Sequence, residues 1–524
     1  MNGLIVRRGG ELCRPGGCRR DQKVMMAFLA TAPGPARREE PTGRALLRMA
    51  SFPLLLGVLL MVGAGAASVL SITREGDTWH HVVIGDQILT TRVWPTTESH
   101  SFTIYGNDSI AYDWLGEVVL ALAFRLRGLS GLMGLLAGLS AAFMLLLYYY
   151  ASQRSGNPKA AFAACLLLLP LAAPFFTLRP QLIGFMLMLV ELILLDRFRH
   201  GSARALWVLP PLFLLWVNTH SSFFLGLAIL GLYWVGGLAG FRQGGLESIP
   251  WSPGQRRQLE VIALLCVLAL VATPYGTRLA ASPLDLIWHS PLAMAKGGEF
   301  QPLSAFGALM KWFLFLLLVF LLEQIAFSPR YTVEEMGLLL VSIYGASVHA
   351  RLLFLFVLVF APLLAKLMGR WIPPYEPAKD RPVLNIALVV LMGVGVVKVF
   401  PSGAELEKDV SAVFPQRAVE YLRQHPVDGP MFHEYAWGSY LMLTMGSQHK
   451  VFIDGRSQLY EEAGVYPEYF RIEQVAPDAP FLLRKYGIRS CLIGPKTPLA
   501  TFLAALPEWK RIYQDDLAIL YVRI

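Results

Sequence analysis

Charge is what this sequence has least of. Of its 524 residues only 16% are Asp, Glu, Lys or Arg, where a soluble chain carries about a quarter. The shortage excludes a string of soluble domains, although at roughly 150 residues per domain the length alone would allow three or four. Cysteine is sparse as well. Cys13, Cys18, Cys165, Cys266 and Cys491 stand apart without C-x-x-C spacing, so the chain carries neither a zinc-ligand pattern nor a disulfide framework. No G-x-G-x-x-G and no Walker sequence occurs, which removes the usual signals for a nucleotide site. Gly-X-Y periodicity is missing and aromatics make up 12%, so collagen-like and disordered chains are excluded too.

What is present is apolar surface: 55% of residues are hydrophobic and the mean hydropathy is +0.49. A bilayer core needs about 20 mostly apolar helical residues to cross it. Runs that meet or approach this length lie near 52–72, 130–151, 160–177, 182–196, 204–217, 221–240, 259–273, 309–327, 333–348, 352–368 and 383–400. The composition therefore predicts an α-helical polytopic membrane protein of about eleven transmembrane helices. Its parts are an N-terminal segment 1–51, a transmembrane module 52–400 with a large loop 73–129, and a soluble tail 401–524. Residues 1–51 lack the form of a signal peptide, since the apolar run behind them is long enough to span. Met25, Met26 and Met49 are alternative starts, so no function is placed before residue 50.

The net charge of +9 reports topology rather than nucleic-acid binding. Basic residues accumulate on the cytoplasmic side of membrane proteins. Arg44 and Arg48, Arg154 and Lys159, Arg197 and Arg199, Arg256 and Arg257, and Lys366 and Arg370 all fall on one side if the N-terminus is cytoplasmic and eleven spans alternate. The loop 73–129 and the tail 401–524 are then extracytoplasmic. Arg-, Ala-, Leu- and Gly-rich usage points to a bacterial chain, hence to the bacterial inner (plasma) membrane.

Residues that can carry chemistry collect on the opposite side. Asp77, His80, His81, Asp113 and Glu117 lie in the first outer loop, and Arg179 in the third-to-fourth turn. Asn218 and His220 follow the fifth span, Glu299 falls in loop 274–308, and His349 and Arg351 cap the ninth-to-tenth turn. Val118, Leu122 and Leu126 recur at helical spacing beside Arg125 and Arg127, as in short helices lying along a membrane surface. Asp77 has a plainer reading as the cap of such a helix, and Arg179 and Arg351 as side chains reaching to headgroups. His80 and His81 follow Asp77 by three and four positions, a spacing that brings Asp77 and His80 to one helical face and allows a divalent metal.

The tail reads differently. Helical signals at Pro415–Arg423, Trp437–Met445, Pro480–Tyr486 and Leu499–Leu506 alternate with short β-rich runs. Those runs are Met431–His433, Val451–Ile453, Cys491–Ile493, Arg511–Tyr513 and Ala518–Val522. This predicts a small α/β domain with a mixed sheet. Trp437 and the Asp454-Gly455-Arg456 turn each follow an expected strand, where α/β sheets build sites; an Asp454–Arg456 ion pair that merely holds the loop is the equal alternative.

The segments Gly76-Asp77-Thr78-Trp79-His80-His81, Tyr112-Asp113-Trp114-Leu115-Gly116-Glu117, Arg179-Pro180-Gln181 and Trp216-Val217-Asn218-Thr219-His220 resemble motifs of the GT-C superfamily of membrane glycosyltransferases. That superfamily includes the protein O-mannosyltransferases and the lipid A aminoarabinose transferases. The resemblance covers most of residues 52–370, and the tail is similar to that of bacterial members. It implies transfer of a sugar from a polyprenyl-phosphate donor to a lipid, glycan or protein acceptor. Asp77 then corresponds to the base, and Asp113 or Glu117 to a second acidic position. Arg179 and Arg351, with His349, are expected to bind the donor phosphate. His80, His81, Asn218, His220, Glu299, Trp437, Asp454 and Arg456 are expected to contact substrate. A transporter or flippase for a lipid-linked glycan, or a non-catalytic scaffold, are the competing classes.

Overall fold

A chain in hydrocarbon has to pair its own N–H and C=O groups, so apolar runs become helices. The computed structural model describes residues 50–69, 75–446 and 449–524; the expected segment 1–51 lies almost wholly outside them. Helices α1 (Phe52–Val69), α2 (Thr78–Thr91), α3 (Trp114–Ser155), α4 (Pro158–Ala172), α5 (Gln181–Arg199), α6 (Leu209–Val217) and α7 (Phe223–Gly236) come first. They are followed by α8 (Pro253–Ala269), α9 (Thr277–His289), α10 (Pro291–Lys296), α11 (Gly307–Phe327), α12 (Val333–Val348), α13 (Leu353–Met368) and α14 (Pro382–Val399).

Every expected span contains a helix, but among the described residues only six helices are both long and apolar enough to cross a membrane. These are α1, α3, α4 continued to Phe175, α11, α13 begun at Ala350, and α14. The stretch 203–217, which holds α6, and α7 are apolar but shorter. Helix α5 has the length, yet it carries Glu191, Asp196, Arg197 and Arg199. The chain is thus a mostly helical, multi-pass membrane protein.

Helices α13 and α14 are both apolar on all sides, and their surroundings separate them. Nearly every residue of α13 is buried against α3, α4 and α12, so it forms the centre of the bundle. Nearly every residue of α14 is exposed, as a helix facing lipid would be. Helix α3 breaks at Arg127 and Gly128, where Gly128 takes φ +56°. Its first leg lies with α2 in the loop 73–129, and its second leg, after the break, is the span expected at 130–151. Helix α2 packs along that first leg.

The tail holds α15 (Gly403–Ser411), α16 (Gln416–Gln424), α17 (Gly438–Met445), α18 (Ser457–Glu462), α19 (Val465–Glu473), α20 (Ala479–Lys485) and α21 (Pro498–Ala504). With β1 (Phe241–Gln243), β2 (Leu246–Ser248) and β3 (Tyr331–Thr332) forming a small sheet elsewhere, the tail strands are β4 (Met431–His433), β5 (Ser490–Ile493), β6 (Trp509–Gln514) and β7 (Ile519–Arg523). Their order is β4-β5-β7-β6, parallel between β4 and β5 and antiparallel elsewhere. The run at Val451–Ile453, expected as a fifth strand, does not join them. His433 Nε2 takes the Phe452 N–H at 3.0 Å, and Val451 pairs instead with Ser101 of the loop 73–129. The tail is therefore stitched to that loop.

Gly85 of α2 is where the two surface helices meet. A Cβ there would lie 2.1 Å from the Glu117 carbonyl oxygen of α3, so only glycine allows the approach. Gly85→Ala is expected to destabilise the detergent-solubilised protein by roughly 1–3 kcal/mol, read as a drop in thermal unfolding temperature. An unchanged transition would show that the helices do not pack this closely.

Candidate functional site

Asp77 occupies the cap position of α2 but makes no capping hydrogen bond with its side chain. Its carboxylate faces Arg179 instead, with Asp77 Oδ2 2.5 Å from Arg179 Nη2. Arg179 also pairs with Glu75 at 2.7 Å and with Glu299 at 3.1 Å. Glu299 in turn reaches Arg351 at 3.0 Å, and Arg351 Nη2 lies 3.2 Å from His220 Nε2. One chain of charge thus joins α2, the turn before α5, the turn before α7, the loop after α10 and the turn before α13. Backbone anchors fix its members. Thr78 Oγ1 donates to the Leu178 carbonyl at 3.3 Å, and Ser222 N donates to His220 Nδ1 at 3.1 Å.

A second cluster stands beside the first. His81 Nδ1 lies 3.1 Å from Glu117 Oε1, and the rings of His80 and His81 are 4.1 Å apart. One ligand atom from each of His80, His81 and Glu117 falls within 4.8 Å of the others. All three residues are buried, and Glu117 Oε2 has no hydrogen-bond partner. Two imidazoles and a carboxylate suit a divalent ion such as zinc, so the donors present fit a metal. Of the expected pair Asp77 and His80, only His80 belongs to this trio, and Asp77 Oδ2 lies on Arg179.

Two cavities meet at the charged chain and share Asp77, Arg179, Gln181, Glu299 and Arg351. The first, about 180 Å³, is lined by polar groups including His80, His81, Asp113, Glu117, His220 and Arg456. The second, about 560 Å³, has an apolar wall of Phe175, Phe300, Leu303, Phe306, Leu309 and Leu353. Glu75, Lys296, Tyr435 and Tyr466 also line it.

The remaining expected residues lie outside both cavities. Asn218 accepts from Trp114 Nε1 at 2.8 Å and donates to the Leu214 carbonyl, tying α3 to the turn after α6. His349 Nδ1 bonds the Phe300 carbonyl at 2.8 Å. The Trp437 indole donates to the Val413 carbonyl and its ring is buried. Asp454 is fully buried between Arg456 Nε at 2.9 Å and the Tyr460 hydroxyl at 2.7 Å. Arg456 also pairs with Glu98 at 2.6 Å, so the loop-holding alternative describes these two, although Arg456 still lines the polar cavity. The sequence does not single out Glu75, Gln181, Ser439 or Tyr435 as site residues; Gln181 lies in the Arg179-Pro180-Gln181 segment, and Glu75 stands two residues before Asp77.

Burial sets the ionisation here. It raises Asp77 above the usual carboxylate range, with Arg179 pulling the other way. Asp113 is pushed up to about 7 by burial. Burial lowers His81 to about 4 and drives His80 and His220 well below their ordinary value, so all three imidazoles are neutral at pH 7. Burial works against Glu299 too, but Arg351 and Arg179 hold it below its usual range.

No family model and no curated protein sequence matches the chain. Solved structures do. The archaeal oligosaccharyltransferase AglB from Archaeoglobus fulgidus, in complex with an inhibitory peptide and a dolichol-phosphate, aligns at TM-score 0.51 and 13% identity over 86% of this chain and 70% of its own. ArnT from Cupriavidus metallidurans, bound to undecaprenyl phosphate, aligns at TM-score 0.50 and 13% identity over 93% of this chain and 99% of its own. At this identity the likeness is one of fold alone: the chain shares the GT-C fold of these two structures.

Two expectations follow. Asp113 binds a proton in the folded protein that the unfolded chain has already released, so it costs stability as pH rises from about 4 to 7. Asp113→Asn is expected to remove that part of the decline, seen by comparing unfolding temperatures at pH 5 and pH 8; parallel declines would place Asp113 in water. Chelator-stripped protein is expected to bind zinc in a calorimetric titration, and Glu117→Gln to weaken that binding. Equal affinity in the two proteins would take Glu117 out of the donor set.

Proposed function

We propose that this chain is a glycosyltransferase that moves a sugar from a polyprenyl-phosphate donor to an acceptor. The observation that carries the reading is the pair of cavities meeting at Asp77, Arg179, Glu299 and Arg351, one polar and one with an apolar wall. The donor's first isoprene units fit the apolar wall, and its phosphate falls at the arginines. Two proteins of the same fold were solved with lipid phosphates of this class, dolichol-phosphate and undecaprenyl phosphate.

In this reading the acceptor lies in the polar cavity. Its oxygen or nitrogen attacks the anomeric carbon, and the proton passes to the Asp77 carboxylate. The bond from the anomeric carbon to the phosphate oxygen breaks, and the lipid phosphate leaves with that electron pair. A carboxyl whose proton affinity is raised by burial is a stronger base than one in water. Arg179 and Arg351 are at first satisfied by Glu75, Asp77 and Glu299; the entering phosphate takes the places of Glu75 and Glu299, and Asp77 keeps its contact with Arg179. Planar guanidinium groups suit both partners. Asp113 and Glu117 position the acceptor, and a divalent ion held by His80, His81 and Glu117 would add positive charge beside it. His220 orients Arg351, and His349 fixes the Phe300 end of the apolar wall.

The topology belongs to the same proposal. Eleven crossings with a cytoplasmic N-terminus put the site and the tail 401–524 on the extracytoplasmic side of a bacterial plasma membrane. The proposed partners are the lipid-linked donor, a lipid, glycan or protein acceptor, and the bilayer.

Purified protein incubated with a polyprenyl-phosphate sugar is expected to release polyprenyl phosphate. Asp77→Asn is expected to cut that release by about 10²–10⁴-fold with expression intact. Near-native release by the variant would remove Asp77 as base. Passage of intact donor across liposomes without release would favour a flippase.

A further inference from the structure

Two glycines mark where the tail touches the first outer loop, one on each side of Asp77. A Cβ on Gly76 would lie 3.0 Å from the Ala436 carbonyl oxygen of the tail. A Cβ on Gly455 would lie 2.1 Å from Asp77 Oδ1 and 3.0 Å from His80 Nδ1. The second contact is far inside van der Waals distance, so any side chain at 455 would collide with the Asp77 carboxylate. Gly455 has no positive φ; what its position needs is space.

The turn that carries Gly455 is fixed from several directions. Gly455 N donates to Ser439 Oγ at 3.2 Å, and the Tyr435 hydroxyl donates to the Gly455 carbonyl at 3.4 Å. The same Ser439 hydroxyl lies 3.3 Å from His80 Nδ1. On either side, Asp454 is held by Arg456 and Tyr460, and Arg456 is held by Glu98 of the outer loop. Glu98 is itself pinned, since its Oε1 accepts from the backbone of His100 and Ser101 at 2.6 and 3.0 Å. A bare backbone peptide, anchored at both ends, is therefore pressed against Asp77 Oδ1, while Arg179 holds Oδ2.

We infer that the Asp454-Gly455-Arg456 turn is a positioning element: Gly455 backs the Asp77 carboxylate and holds it against Arg179, while Ser439 links the turn to His80. The tail is then a wall of the reaction centre. The inference rests on the function proposed above for what Asp77 does, but its geometric half can be read without any assay of transfer.

The test uses full-length protein in detergent or nanodiscs and a double-mutant cycle. Gly455→Ala is expected to lower the unfolding temperature in the wild-type background and to lower it much less beside Asp77→Ala, which vacates the colliding atoms. Gly403→Ala, in the tail where a Cβ meets only Ser130 Oγ at 3.8 Å, an ordinary contact, is the control and is expected to shift the unfolding temperature equally with and without Asp77→Ala. In the transfer assay Gly455→Ala is expected to lower kcat by about tenfold or more with the donor KM within about twofold. The rising limb of the kcat–pH profile is expected to move to higher pH, because a carboxylate pushed off Arg179 loses its stabilising charge. Equal losses of unfolding temperature in both backgrounds, or an unmoved pH limb with unchanged kcat, would overturn the inference. A wild-type protein with no transfer would sink the functional reading while the thermal cycle still decides whether Gly455 bears on Asp77. Should Gly455→Ala fail to fold, Ser439→Ala removes an anchor and adds no atom. It is expected to lower kcat at constant KM, and an unchanged kcat would count against the turn.

Discussion

The rest of the site hangs on Arg179. Its guanidinium stands among three carboxylates, Glu75, Asp77 and Glu299, in a region where leaving any one charge unpaired would cost several kcal/mol of desolvation. The arginine and its partners come from segments far apart in sequence, so the ion pairs form only when those segments converge. Through Glu299 the same chain reaches Arg351 and His220, which adds the turns before α7 and α13. Such a network is a poor source of net stability, since its Coulomb gain is set against desolvation. Its value lies in geometry, because one arrangement satisfies all members and alternatives strand a charge.

Close backbone approach is the second constraint, and glycine makes it possible. Gly85 lets α2 lie on the carbonyl of Glu117, Gly116 lets α3 meet Pro180 beside Arg179, and Gly455 lets the tail reach Asp77. The first of these contacts brings His81 to Glu117, and the third puts Gly455 in the lining of both cavities. The tail adds a buried lock of its own, Glu98–Arg456–Asp454–Tyr460, joining it to the loop 73–129. An extra strand at Val451–Ile453 would have completed the tail sheet; its pairing with Ser101 spends that backbone on the same junction.

Much of this was legible in the residues. The apolar runs located the helices, since a helix is the only way for a lone segment to satisfy its backbone in lipid. Sorting Arg and Lys by loop separated those that the orientation rule explains from Arg179 and Arg351, which it does not. The motif segments around Asp77, Asp113 and Arg179 supply Asp77, His80, His81, Asp113, Glu117 and Arg179 to the cavity lining. Less legible were residues whose importance is relational. Nothing local distinguishes Ser439 or Glu75 from other polar residues, and nothing in the tail sequence says that Gly455 is glycine for the sake of a carboxylate almost four hundred positions away. Asn218 and Trp437 read as substrate contacts and His349 as a partner of the donor phosphate because they sit in chemistry-bearing segments, yet each is bonded to a neighbouring element.

By itself the sequence determined a helical membrane chain, its helix positions, the α/β character of the tail and a pool of ionisable residues, because hydropathy and periodicity act over a few neighbouring residues. Tertiary structure decided which of that pool meet. It set Asp77 against Arg179, gathered His80, His81 and Glu117 into a ligand-like trio, divided the site into a polar and an apolar-walled cavity, and brought Gly455 of the tail into the lining of both. Those outcomes depend on distances of 2 to 3 Å between segments tens to hundreds of residues apart, and no local pattern encodes such a distance.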